Sequence, residues 1–221
     1  MLVHAQKVGL VLSGGGAKGL THIGIIRALE ENNIPIDYIT GTSMGAIIGS
    51  LYAMGYSPDD METLLKSDDF KRWYSGEVEE KYMYYFKEKL PTPELFNIRF
   101  SFKDSLNLKP QFLPTSVVNP IQMNLVFIDL YARATATCEG DFDKLFVPFR
   151  CIASDVYNKK QLVLKRGDLG DAVRASMSFP FMFNPIEIHN VLAYDGGIYN
   201  NCPTDVMRDD FHADIIIGSV V

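Results

Sequence analysis

Cationic residues, cysteines, histidines and long apolar runs are all scarce in this chain of 221 residues, and each shortage argues against a class of function. Lysine and arginine total 21 against 27 aspartates and glutamates, a net charge of -6. A nucleic-acid binder needs basic surface to displace counterions from phosphates, so the charge points away from that partner. Three cysteines, Cys138, Cys151 and Cys202, are too few and too scattered for a disulfide framework, and no Cys/His spacing fits a metal site. No apolar run approaches the roughly 20 residues of a spanning helix, so no transmembrane segment is expected. A membrane would have to be met through apolar and aromatic contacts.

What the chain does have is the composition of a folded domain, 47% hydrophobic and 22% charged. Strand signals alternate with helical ones, which predicts an α/β fold with a mostly parallel sheet covered by helices. The strand KVGLVL (7–12) leads through a glycine cluster into a helix with Leu20, Ile23, Ile26 and Leu29 on one face, stopped by Asn32, Asn33 and Pro35. A second strand, DYITGT, runs into the helix SMGAIIGSLYAMG, with Gly55 as its C-terminal cap. Residues 58–131 lack a strand repeat and are rich in aromatics, which suggests an inserted helical cap. Its plainer reading is ordinary core filling. The sheet resumes with FVPFRCIASDV and QLVLKRG, then the helix DLGDAVRASMS, the strand IEIHNVLAYDGG, a helix near Pro203 and the strand ADIIIGSVV. We read residues 1–221 as one domain. Val3-His4-Ala5 has the small-x-Ala look of a processed leader, beside the plainer reading of an ordinary terminus. The last strand is open, which reads as a chain that continues beyond Val221.

Gly14, Gly16 and Gly19 satisfy GxGxxG between a strand and a helix. Dinucleotide binding would also want an acidic side chain at the carboxyl end of the second strand, where Gly41-Thr42-Ser43 stands instead. The P-loop fits worse, because Lys18 is followed by Gly19 and Leu20 rather than by a hydroxyl residue. Unpaired N–H groups at a helix start can equally stabilise the oxyanion of an acyl-transfer intermediate, on the order of 3 kcal/mol per donor.

GTSMG (41–45) matches GxSxG at a strand-to-helix junction, where a sharp elbow projects Ser43 and where Gly41 and Gly45 avoid neighbouring strands. The serine needs a base. His4 lies in the tail; His189 is about 20 Å from Asp195 along an extended strand. His212 precedes a strand and belongs at its amino edge. His22, on the first turn after the glycine loop, is the one serious competitor, with a buried neutral imidazole as its plainer account. That leaves Asp195, which closes the strand VLAYDGG at the same sheet edge as Ser43, with Gly196 and Gly197 leaving room for substrate. An Asp-Gly turn is the alternative.

SGGGAKG, GTSMG and YDGGIYNNCP, with GLTHIGIIRALEE and RASMSFPFMF (174–183), resemble the signature blocks of the patatin-like phospholipases. The likeness covers 7–66 and 141–221 well and 67–140 poorly. The resemblance implies a three-layer α/β/α sandwich and hydrolysis of glycerolipid acyl esters, with neither metal nor cofactor, by a Ser43–Asp195 dyad. It also implies an anion cradle from Gly14, Gly15 and Gly16, with Lys18 bracing the loop. The expected partner is a lipid or membrane-surface substrate. Bacterial members of this kind are free enzymes or soluble fronts of outer-membrane proteins, and the two chain ends lean towards a periplasmic or outer-membrane-associated, peripheral location. An acyltransferase or thioesterase using the same dyad, and a lipid-carrying module with a vestigial site, are the rival readings.

Overall fold

The computed structural model describes residues 6–75, 118 and 120–221. Its centre is a seven-stranded sheet in which β7 (Ile215–Ser219), β1 (Val8–Leu12), β2 (Tyr38–Thr42) and β3 (Phe149–Asp155) run parallel in that order. All five residues of β1 and all seven of β3 are buried, as strands are when both faces of a sheet are covered. The remaining strands, β4 (Lys160–Leu164), β5 (Ile186–Ile188) and β6 (Val191–Asp195), pair antiparallel. The sheet is therefore parallel through the half that holds the glycine loop and antiparallel beyond it, rather than mostly parallel as expected. What the sequence suggested as one strand over IEIHNVLAYDGG is a hairpin, because His189 (φ 51°) and Asn190 (φ 64°) form a two-residue turn of the left-handed kind that matches strand twist.

Helices cover both faces. On one side lies α7 (Thr204–Phe211), close enough that a Cβ on Gly9 would sit 2.2 Å from Met207 Sδ. Phe211 stacks on Tyr38 with ring centroids 4.7 Å apart and lies under the buried Arg150 guanidinium at 4.2 Å. On the other side α1 (His22–Glu31), α2 (Met44–Ala53) and α6 (Leu169–Ser176) help enclose the main core, in which Leu10, Leu12, Ile39, Ile48, Leu51, Phe142 and Phe149 are fully buried. The α1 stripe is Ile23, Ile26 and Leu29, while Leu20 falls in a preceding 3₁₀ turn, Gly16–Thr21. Gly55 ends α2 at φ 97°, where a Cβ would be strained.

Of the expected 58–131 insertion, residues 76–117 and 119 lie outside the described residues. The flanks that are described are helical: α3 (Pro58–Lys66) with a Ser57/Asp60 capping box, α4 (Asp68–Ser75) and α5 (Ile121–Thr137). They join the main core through a run of edge-on rings, Phe70–Trp73–Phe127–Tyr131, with successive centroids 5.3, 6.2 and 5.4 Å apart. Among the described residues no helix is long and apolar enough to cross a membrane.

Candidate active site

Ser43 stands between the last residue of β2 and the first of α2, at φ 53° and ψ -119°. Few non-glycine residues adopt such a backbone, and it survives only where the surroundings over-determine it. Here they do. A Cβ on Gly41 would lie 2.4 Å from Gly45 O, and one on Gly45 would lie 2.3 Å from Leu12 O, so neither position has room for a side chain. The Ser43 carbonyl accepts from Ala46 and Ile47 N–H at 2.9 and 3.1 Å, the first turn of α2. Its N–H donates to Ser176 Oγ at 2.9 Å.

The position of Asp195 follows from strand register. Thr42 pairs with Ile152 on β3, and the next residue of β3, Ala153, pairs with Asp195. Since β4 pairs continuously along Cys151–Asp155, it takes one edge of β3, and β2 and β6 must share the other. The two strands run towards each other and meet at their carboxyl ends. The sequence reading placed Asp195 beside Ser43 by assuming a common strand direction; the proximity is real, but it arises because β6 is antiparallel.

Asp195 is only 6% exposed. Its N–H donates to Ser178 O at 3.0 Å, and its Oδ1 accepts the Gly197 N–H at 2.7 Å. Burial raises the pKa of the carboxyl above its ordinary value, while the hydrogen bond from Gly197 N–H and the nearby Ser43 hydroxyl pull it part of the way back. A raised value makes Asp195 a stronger proton acceptor than a surface carboxylate. Gly196 packs so tightly that a Cβ there would fall 2.2 Å from Ile152 O.

The glycine loop reaches Ser43 through Gly14, where a Cβ would lie 3.1 Å from Ser43 Cβ. Gly14 departs from the expected role. Its N–H already donates to Asn201 O at 3.1 Å, and its carbonyl accepts from Asn201 Nδ2 at 3.1 Å, so it is clamped and has no donor left for an anion. Gly15 and Gly16 open the 3₁₀ turn, and among the described residues their N–H groups have no partner. Lys18 also departs from expectation. It holds the turn through its backbone, N–H to Gly15 O at 3.2 Å, while the exposed side chain makes no bond to the loop among the described residues.

The histidines are accounted for. His22 is fully buried, and because a carbonyl can only accept, its Nε2–H donates to Ser13 O at 2.9 Å while Nδ1 accepts from Ser219 Oγ at 2.7 Å. Burial lowers its pKa against the opposing Ser13 bond, so the ring is a neutral strut with both nitrogens engaged. His189 sits in the β5–β6 turn and His212 caps α7 before the amino end of β7. His4 lies outside the described residues. The Cys151 thiol, pushed up to about 12 by burial, is no nucleophile at neutral pH. Among the described residues no group of three His, Cys, Asp or Glu could hold a metal ion.

Three supporting residues, in two segments, escaped sequence reasoning. Asn201 clamps Gly14, and neighbouring Asn200 accepts Thr42 Oγ1–H on its carbonyl at 2.9 Å, so the segment after Asp195 ties the glycine loop to the end of β2. Ser176 holds Ser43. All three lie in quoted blocks, YNNCP and RASMS, yet nothing in the spacing reveals what they bond.

A family model described as Patatin-like phospholipase matches residues 10–208. A patatin-like phospholipase domain-containing protein of Caenorhabditis elegans is 32% identical over 212 residues, 94% of this chain and 13% of that protein. Lysophospholipase NTE1 of Cryptococcus neoformans var. neoformans is 30% identical over 215 residues, 97% of this chain and 11% of its own length. The chain thus spans little more than a tenth of these curated relatives. Among solved structures, VipD from Legionella pneumophila superposes with a TM-score of 0.53 at 16% identity, over 90% of this chain and 47% of VipD, a likeness of fold.

Proposed function

The chain belongs to the patatin-like phospholipase family, and from that premise we propose that it is a serine lipid acyl hydrolase acting on glycerophospholipid or other glycerolipid esters. Ser43 is the nucleophile and Asp195 the base. As Ser43 Oγ bonds to the ester carbonyl carbon, its proton passes to the Asp195 carboxylate and the carbonyl electron pair moves onto oxygen. That oxyanion is met by the free N–H groups of Gly15 and Gly16. Collapse breaks the bond to the alcohol, which takes the proton from Asp195 as it leaves. Water then attacks the acyl-serine, gives a proton to Asp195, and the second collapse returns that proton to Ser43 and releases the fatty acid.

The observation that carries this reading is the strand register that brings a strained elbow serine up against a buried carboxylate, whose pKa burial raises and the Ser43 hydroxyl pulls part of the way back. The neutral, doubly bonded state of His22 supports it by removing the competing base. The name lysophospholipase on the fungal relative favours glycerophospholipid esters as the first substrates to try. Both sequence relatives are eukaryotic, so the expectation of a bacterial, envelope-associated enzyme gains nothing from them.

The test is kinetic. Purified protein should hydrolyse a short-chain nitrophenyl ester and react with a fluorophosphonate at Ser43. Ser43→Ala should do neither, and Asp195→Asn should label slowly. Full turnover by either variant refutes the assignment.

A further inference from the structure

We propose that Ser176 is a positioning residue for the nucleophile, its hydroxyl fixing the backbone of Ser43 and with it the placement of Ser43 Oγ against Asp195. The proposal rests on the Ser43–Asp195 reading above.

Ser43 has two backbone handles. Its carbonyl is held by the first turn of α2, which any helix start supplies. Its N–H precedes the helix and follows the last residue of β2, so neither ladder claims it. The one partner of that N–H among the described residues is Ser176 Oγ, which comes from the end of another helix, 133 positions along the chain. Ser176 is completely buried, so the bond is shielded from bulk solvent.

The direction of the bonds is fixed by chemistry. Ser176 Oγ also contacts the Ile152 carbonyl, which can only accept, so the single hydroxyl proton goes to Ile152 and a lone pair faces Ser43 N–H. Ile152 O is a meeting point. Ile152 pairs with Thr42, the residue before the nucleophile, and its oxygen lies 2.2 Å from where a Cβ on Gly196 would be, the residue after the base. One hydroxyl therefore ties the elbow to the strand against which Asp195 is registered. Without it, the positive-φ conformation of Ser43 loses the one backbone hydrogen bond that, among the described residues, reaches it from outside its own helix.

The test compares Ser176→Ala with wild type and Ser43→Ala in one assay of nitrophenyl ester turnover and fluorophosphonate labelling, normalised to folded protein by circular dichroism. A displacement approaching 1 Å at a reacting group costs up to about 100-fold. Ser176→Ala should therefore lower kcat and the labelling rate by about 10- to 100-fold with KM changed less than about twofold. A hydroxyl that merely stabilised the fold would lower the melting temperature and leave kcat per folded molecule unchanged. That result overturns the proposal. The near-isosteric pair Ser176→Thr and Ser176→Val covers the case in which the alanine variant does not fold: Thr must outpace Val by a similar factor, and equal rates overturn the proposal. An inactive wild type, or an active Ser43→Ala, sinks the dyad and this inference with it; wild-type kinetics in Ser176→Ala beside a dead Ser43→Ala sinks the role of Ser176 alone.

Discussion

Gly45→Ala tests whether the closeness of α2 to the end of β1 is what sets the nucleophile. The added Cβ would sit 2.3 Å from Leu12 O and 2.7 Å from Ser13 O, both main-chain atoms that cannot swing aside, whereas ordinary contact begins near 3.4 Å. The first turn of α2 must withdraw by about 1 Å, and Ser43 is the residue on which that turn begins. Misplacement on this scale costs a reacting group about 100-fold, and overpacking strain costs about 1–3 kcal/mol. For a chain of this size the melting temperature falls by about 2–4 °C per kcal/mol. Gly24→Ala is the control. It lies on the exposed side of α1 with nothing within 4 Å of the new Cβ, so it should gain about 0.5–1 kcal/mol from helix propensity and leave turnover unchanged. Calorimetry and kcat/KM on a nitrophenyl ester read both effects. Wild-type turnover by Gly45→Ala, or melting shifts of the same sign in the two variants, would refute the reasoning.

Burial raises the Asp195 pKa, and a carboxyl raised on folding contributes stability below its unfolded value, about 3.9, that is lost as pH climbs through the folded value. Asp195→Asn should accordingly melt above wild type at pH 7, with the gap closing below about pH 4, while ester turnover falls about 10²–10⁴-fold; a lower melting point at pH 7 contradicts this. Because the base works only when ionised, the acid limb of wild-type kcat/KM should lie above the ordinary carboxylate range, and a midpoint at or below about pH 4 would show that another group titrates. Leu51→Ala, at a fully buried position of α2, should cost about 2–5 kcal/mol in denaturant unfolding, and a loss under about 1 kcal/mol would mean that the site lies outside the core.

The parallel half of the fold was legible because its signals are local. Val8–Leu12 is an unbroken apolar run, the α1 face repeats at helical spacing, and Gly41 and Gly45 flank a serine at a strand-to-helix junction. The antiparallel half was not, since its deciding turn, His189–Asn190, lacks the glycine that usually marks left-handed backbone. The donors of the proposed anion cradle were out of reach for a different reason. Gly14, Gly15 and Gly16 look alike in sequence, and what separates the first from the others is a clamp from Asn201, 187 positions away. Ser176 was equally hidden, because a buried serine shows its function only through the groups it bonds.

On the reading proposed above, the register also accounts for an elbow and a carboxylate working without an imidazole between them. After Thr42 pairs with Ile152, the next rung of β3 belongs to Ala153, and Ser43 is the residue that would have taken it. Asp195 takes it instead. Ser43 has to leave the strand at that point, and its positive φ is the form the departure takes. Thr42, the residue before the serine, and Asp195 thus take consecutive rungs of one strand, about 3.4 Å apart along it. An imidazole interposed as in a Ser-His-Asp triad needs a hydrogen bond on each side and the width of a ring. Adjoining rungs favour a direct approach of the two side chains over one bridged by a ring. Proton transfer from hydroxyl to carboxylate is the chemistry such a spacing favours, and the glycine at 196 keeps it by letting the chain turn away against Ile152 as soon as the base has been delivered.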